Sequence, residues 1–177
     1  MFSRIMKRLL AIVALLTLGG LLLAACEDGG SSSGTTPTTA AVEDGMLAFE
    51  TIEQGDQSGI QDSAAVLEVA RTQEEWQDLW SRHRAGRRPE TEPPPVDFDE
   101  RMVVAVIDGQ QPTGGHTLYV TGIEVVGERL VVRVERSVPG EACVVASVLT
   151  WPFHIVETEY SDLEAGFDVT ETVFECG

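Results

Sequence analysis

The sequence predicts a mainly β fold: an antiparallel β-sandwich or barrel-like domain with one amphipathic helix near its N-terminus. Three observations support this prediction. Short apolar or alternating segments of strand length recur after residue 45, turn-forming residues separate them, and the stretch after Thr72 has the spacing of an amphipathic helix. One helix with about seven strands is typical of a sandwich or a barrel.

The chain begins with a leader that has the features of an exported lipoprotein. Basic residues at Arg4, Lys7 and Arg8 precede an apolar run that ends in Leu23-Ala24-Ala25-Cys26. These features define a secretory signal peptide, predicted over residues 1–25. The closing cysteine resembles the lipobox of bacterial lipoproteins, which implies acylation of Cys26 with chains such as palmitate. A transmembrane anchor and an ordinary secreted protein are the alternatives. For a transmembrane anchor the run is short, and no basic cluster follows it.

Residues 26–45 are predicted to be the lipidated cysteine and a flexible tether, because Gly, Ser, Thr, Pro and Ala dominate this stretch. A chain of this length has a root-mean-square reach of roughly 25 Å. Two or three acyl chains would anchor the protein stably. We therefore expect localisation at the cell membrane, lipid-anchored and facing outside the cytoplasm.

Residues 46–177 have the size of a single β-rich domain. Its helix is predicted to begin at Thr72, whose hydroxyl would form a capping box with Glu75. Side chains at i, i+3, i+4 and i+7 then form one apolar face, made by Trp76, Leu79, Trp80 and His83.

The predicted strands fall on both sides of this helix. Met102–Ile107 is an unbroken apolar run, which predicts a central strand buried on both faces. His116–Val126 and Leu130–Val138 predict a hairpin, and a change of phase near Gly122 predicts a bulge. Further strands are predicted over Met46–Ile52, Ala64–Ala70 and Asp168–Glu175. Val144–Leu149 and Phe153–Glu157 are predicted to supply one or two more.

Two cysteines remain if Cys26 carries lipid. An even pair in an exported protein predicts a disulfide between Cys143 and Cys176. Two buried free thiols are the alternative.

The charge of the chain restricts its partners. Twelve basic residues stand against 29 acidic ones, for a net charge of −17. Such a surface repels nucleic acid, so no nucleic-acid partner is expected.

No motif for catalysis or for a metal site is present in the sequence. The histidines are far apart and form no HExxH pattern, and Ser137, Ser147 and Ser161 lack a Gly-x-Ser-x-Gly context. We therefore expect no enzymatic activity, no catalytic residues, no metal and no cofactor, although a triad assembled in space stays open.

An unusual loop follows the apolar strand: Gln110-Gln111-Pro112-Thr113-Gly114-Gly115-His116. Together with the tryptophan helix, the hairpin and Pro152-Phe153-His154-Ile155-Val156, it resembles the C-terminal domain of the PrcB family, over about residues 66–157. That family is named for a lipoprotein subunit of a surface protease complex, and its pattern has tyrosine in place of His116. Its loop is similar to one that chagasin-type inhibitors insert into a protease cleft.

The resemblance implies a non-catalytic module that binds or stabilises a protein partner, such as a secreted protease. The predicted partner-binding residues are Gln111, Pro112, Thr113, Gly114, Gly115 and His116, in an exposed loop. Two alternatives remain: protease inhibition through residues 110–116, and a structural envelope lipoprotein without a dedicated site.

Overall fold

The structure, a computed structural model, describes residues 45–176. The predicted signal peptide, Cys26 and residues 27–44 of the predicted tether lie outside this range. In it, eight strands accompany one helix. The strands are β1 (Gly45–Leu47), β2 (Phe49–Gly55), β3 (Val66–Ala70), β4 (Arg101–Ile107), β5 (Thr117–Val126), β6 (Arg129–Pro139), β7 (Phe153–Glu159) and β8 (Glu164–Phe174), and the helix is α1 (Gln73–His83).

The strands form two four-stranded sheets that pack face to face. The first sheet has the order β1-β5-β6-β8 and the second the order β2-β7-β4-β3. Alternating side chains of β5 and β6 meet those of β4 and β7 in a buried core between the sheets. The two sheets do not close into a barrel in the described part of the chain, so the predicted mainly β fold is confirmed in its sandwich form.

Strand β4 lies inside the second sheet, between β7 and β3, and is buried on both faces as predicted. Met102, Val104 and Val106 face the first sheet. The alternate residues face a second apolar cluster that includes Trp76, Leu79 and Trp80 of α1. The helix therefore covers the outer face of the second sheet.

The helix begins as the sequence predicts. Thr72 Oγ1 accepts the Glu75 backbone N–H, and Glu75 Oε2 accepts the Thr72 backbone N–H, which completes the capping box. The helix is too short to cross a membrane, and no other segment of residues 45–176 forms a candidate spanning helix.

His154 joins the two sheets at the bulge of β5. The ladder shifts register between Val120 and Gly122, as predicted near Gly122. The Val120 backbone N–H donates to His154 Nδ1 at 2.9 Å, so Nε2 carries the proton that is donated to Thr51 Oγ1 at 2.8 Å. Burial lowers the pKa of His154, which favours this neutral form.

Two features differ from the predicted strands. The prediction of a strand over Val144–Leu149 is wrong: this stretch is a loop with Val144, Val148 and Leu149 exposed. It connects β6 of the first sheet to β7 of the second, and it lies beyond the ends of the strand pairs in both sheets. In addition, β8 pairs with β6 in parallel, because β7 runs back through the other sheet and β8 starts where β6 started.

Candidate functional site

The β4–β5 loop (residues 108–116) is built on a buried carboxylate. Asp108 is 2% exposed and directly follows the apolar strand β4. Its Oδ1 accepts hydrogen bonds from the Gly109 backbone N–H and from Arg136 Nη2 at 2.5 Å, and its Oδ2 accepts one from Gln111 Nε2 at 3.0 Å. A buried charge needs such partners, so this cluster fixes the start of the loop.

The rest of the loop is held by the flanking segment (residues 142–150). Gln111 and Thr150 exchange two backbone hydrogen bonds, and the Gly114 N–H donates to the Ala146 carbonyl at 2.9 Å. Thr150 Oγ1 donates to the Thr113 carbonyl. These bonds fix the backbone on both sides of Pro112, so the loop is presented in one conformation.

The flanking segment is itself tied down by a disulfide between Cys143 and Cys176, which agrees with the sequence prediction. Just before it, the Gly140 N–H donates to the Phe174 carbonyl at the end of β8. Beside the loop the segment exposes Val144 and Val148. The segment that flanks the β4–β5 loop therefore exposes apolar side chains.

The structure separates the six predicted contact residues by exposure. Pro112 and Gly115 are exposed, Gln111 and Thr113 are half-buried, and Gly114 and His116 are buried. Gly115 has φ +88°, a conformation that glycine adopts without strain. The loop is exposed at its tip only, and the two buried residues support the tip from below.

His116 is 8% exposed and joins the loop to β5. Its Nε2 lies 3.3 Å from Thr113 Oγ1, while Nδ1 is buried without a hydrogen-bond partner among residues 45–176. Burial lowers the pKa of His116; Asp108 opposes that shift and Arg136 adds to it. The ring is therefore neutral near pH 7, and one of its nitrogens is an acceptor.

The β4–β5 loop lies in a segment that matches a known protein family. The family described as PrcB C-terminal matches residues 102–159. This confirms the predicted resemblance to the PrcB C-terminal family. The matched segment runs from β4 to β7 and contains the whole β4–β5 loop, whereas α1, β1 to β3 and β8 lie outside it. No curated protein and no solved structure matches the chain. The similarity of the loop to chagasin-type inhibitors stays a prediction.

A second polar cluster, which the sequence did not reveal, lies where α1 meets β2, outside the PrcB C-terminal segment. Ser58 Oγ lies 3.0 Å from His83 Nδ1, and His83 Nε2 lies 3.2 Å from Glu53 Oε2. The other carboxylate oxygen of Glu53 accepts from Arg84 and Arg87. Serine, histidine and carboxylate are the groups of a hydrolytic triad. The Gln-Gly-Asp stretch between Glu53 and Ser58 gave no signal of such a cluster in the sequence.

Because this cluster is buried, its role is to hold α1 in place. Ser58 is 2% exposed and His83 is fully buried, so a substrate has no path to the serine hydroxyl. Ser58 Oγ also accepts the Ile60 backbone N–H. Burial lowers the pKa of His83, although Glu53 raises it, and the neutral ring accepts from Ser58 and donates to Glu53. Elsewhere in residues 45–176 no group of three or more metal-ligating side chains comes together.

Proposed function

We propose that this chain is an extracytoplasmic lipoprotein whose non-catalytic β domain binds a protein partner through the tip of the β4–β5 loop. The partner we infer is a secreted protease or another subunit of a protease complex. The family match fits a protease-complex-associated role. The observation that carries the proposal is the exposed pair Pro112 and Gly115, at the tip of a loop fixed from both sides.

The shape of the surface supports protein recognition. A loop that is already fixed in one conformation loses little conformational entropy on binding, which favours affinity. Val144 and Val148 add apolar area beside it. Contiguous exposed apolar surface is typical of protein-binding sites.

The leader supports the proposed location. Its basic start, apolar run and Cys26 in a lipobox would bring the chain out of the cytoplasm and anchor it by acyl chains. Labelling growing cells with radioactive palmitate tests this step. Wild-type protein should incorporate label and a Cys26→Ser variant should not; equal labelling of both would rule out Cys26 as the acylated residue.

Capture of a protease from native envelopes tests the binding surface. The full-length chain is used as bait in wild-type form and as Pro112→Asp, which places a charge at the exposed tip without touching the buried supports. Val126→Asp is the matched control, because Val126 is an exposed apolar residue at the other end of β5. We expect wild type and control to retain the same proteolytic activity, and Pro112→Asp to retain at least about tenfold less, as for loss of a binding hot spot.

Equal capture by all three proteins would place the contact elsewhere. Capture of no protease by wild type would favour the structural envelope lipoprotein without a dedicated site.

A second candidate function, direct protease inhibition, is favoured by the fixed backbone around Pro112. Protease inhibitors bind tightly as preorganised partners. The captured protease distinguishes the two functions. If adding wild-type protein lowers its rate of peptide cleavage in proportion to complex formed, the chain is an inhibitor; an unchanged rate with slower loss of protease over time indicates a stabilising subunit.

A further inference from the structure

A small cleft lies directly beside the β4–β5 loop, between the end of β2 and the start of β5. Gly55, Asp56, His116, Tyr119 and Phe153 are among the residues that line it. Its volume is about 250 Å³. This is below the roughly 300 Å³ at which pockets for drug-sized ligands begin, and suits a single side chain. We call it the His116 cleft.

The cleft contains hydrogen-bonding capacity that the protein does not use. His116 lines it, is 8% exposed, and has its Nδ1 buried without a partner in the described part of the chain. In the tautomer whose Nε2–H donates to Thr113 Oγ1, Nδ1 is left as an acceptor. A buried polar atom without a partner costs free energy, so a ligand that brings a donor into the cleft is stabilised there.

The electrostatics of the cleft favour a cation. Asp56 is the charged residue among those that line it, and it is exposed. Two arginines lie near the cleft, and both are paired with carboxylates. Arg136 makes ion pairs with Asp108 at 2.5 Å and with Glu171 at 3.6 Å, and Arg87, whose guanidinium lies over the Phe153 ring, pairs with Glu53 at 3.1 Å. The whole chain, with its net charge of −17, adds a negative potential.

Two aromatic rings complete this environment. Tyr119 is 38% exposed and Phe153 also lines the cleft. The Phe153 ring is already covered by the Arg87 guanidinium, 5.6 Å from its centroid, so the exposed ring of Tyr119 is the one whose face can attract an ammonium or guanidinium group. An imidazole acceptor, a carboxylate and an aromatic ring are together the surroundings that a basic side chain prefers.

We propose that the His116 cleft receives a lysine or arginine side chain of the protein that binds at the neighbouring loop tip. The proposal rests on the proposed function, since His116 belongs both to the β4–β5 loop and to the cleft. It gives a specificity rule: the partner segment that contacts Pro112 carries a basic residue within reach of Asp56.

Side-chain analogues test the cleft without the partner. The full-length chain, labelled with ¹⁵N, is titrated with n-butylammonium, with n-propylguanidinium and with the neutral n-butanol, and NMR follows the imidazole nitrogens of His116 and the amide of Tyr119. We expect saturable shifts of both signals with the cations and none with n-butanol. The same response to all three compounds, or none up to saturating concentrations, would overturn the proposal.

A matched pair of variants identifies the carboxylate. Asp56→Asn should weaken binding of n-butylammonium by up to about fivefold, the value of one exposed charge pair. Asp62→Asn, an exposed aspartate outside the cleft lining, should leave it unchanged. Equal affinity of Asp56→Asn and wild type would count against the cleft as a cation site.

Partner capture separates this proposal from the function on which it rests. If Pro112→Asp loses the protease and Asp56→Asn retains it at the wild-type level, the loop binds the partner and the cleft proposal fails. If both variants lose it while Asp62→Asn does not, loop and cleft act on the same partner. If every variant captures as wild type does, the loop function fails, whatever the analogues show.

Discussion

Removal of the Cys143–Cys176 disulfide is expected to have a large effect on stability. The bond joins residues that are 33 positions apart. In the chain-entropy model, a closed loop of that length lowers the entropy of the unfolded chain enough to stabilise the folded state by about 4 kcal/mol. In a domain of this size that loss lowers the melting temperature by on the order of 10 °C or more.

The assay is urea unfolding of wild type, of the Cys143→Ser, Cys176→Ser double variant, and of wild type under reducing conditions. The double variant and the reduced protein should lose the same free energy of unfolding, and their m-values should rise because the unfolded chain expands. A second effect follows from the flanking segment, which the disulfide ties to the end of β8. The Gly114 amide, which donates to Ala146, should exchange with solvent faster when the bond is absent.

A loss below about 1 kcal/mol would refute the reasoning, because the cross-link would then not restrict the unfolded chain as calculated. A full loss of stability with unchanged exchange at Gly114 would refute only the second effect: the flanking segment would hold the loop without the disulfide.

Three further predictions concern stability, each measured by urea unfolding. Burial lowers the folded-state pKa of the three histidines, so their contribution to the free energy of unfolding should be constant above about pH 7. Below about pH 6.5 the free energy of unfolding should fall, because the unfolded chain binds protons that the folded chain excludes. His154→Asn should reduce this pH dependence, and an unchanged slope would exclude His154 as a source of it. Thr72→Ala removes the N-cap and should cost about 1 kcal/mol, whereas no loss would mean that water caps the helix equally well. Gly115→Ala should cost more than Gly86→Ala, since both have positive φ but only the first places a Cβ 3.1 Å from Val145; equal losses would show that Val145 moves aside.

Local signals in the sequence predicted much of the fold. The cap at Thr72, the 3.6-residue stripe with Trp76 and Trp80, the apolar run of β4 and the hairpin about Gly127 each depend on residues close together in the chain. Periodicity and capping report such local structure directly. These elements therefore agree with the structure to within a few residues.

The parts that could not be predicted depend on distant residues. Val144–Leu149 has the composition of a strand, but only the positions of both sheets show that it lies beyond their ends. The parallel pairing of β8 with β6 depends on which sheet the intervening β7 joins. Likewise Ser58 and His83 meet because α1 packs beside the loop after β2, which no spacing in the sequence encodes.

The sequence located the candidate site but did not show which of its residues are exposed and which are buried. The glycines and proline of residues 111–116 indicated a special loop, and the structure places that loop between two sheets with its tip in solvent. Gly114 is buried against Ala146 of the flanking segment, and that contact comes from far along the chain. Asp108, the base of the loop, was missed, because a single aspartate after a strand gives no signal of burial.

The parallel pairing of β6 and β8 also sets an order of events in folding. Arg129 lies opposite Glu164, so this ladder joins segments about 35 residues apart and is slow to form compared with the β5–β6 hairpin. The edge of the first sheet stays incomplete until β8 has paired with β6. Because Cys176 comes just after β8 and Cys143 just after β6, pairing of the two strands brings both thiols to the same end of the sheet. Oxidation of this pair then holds β8 at the edge of the first sheet.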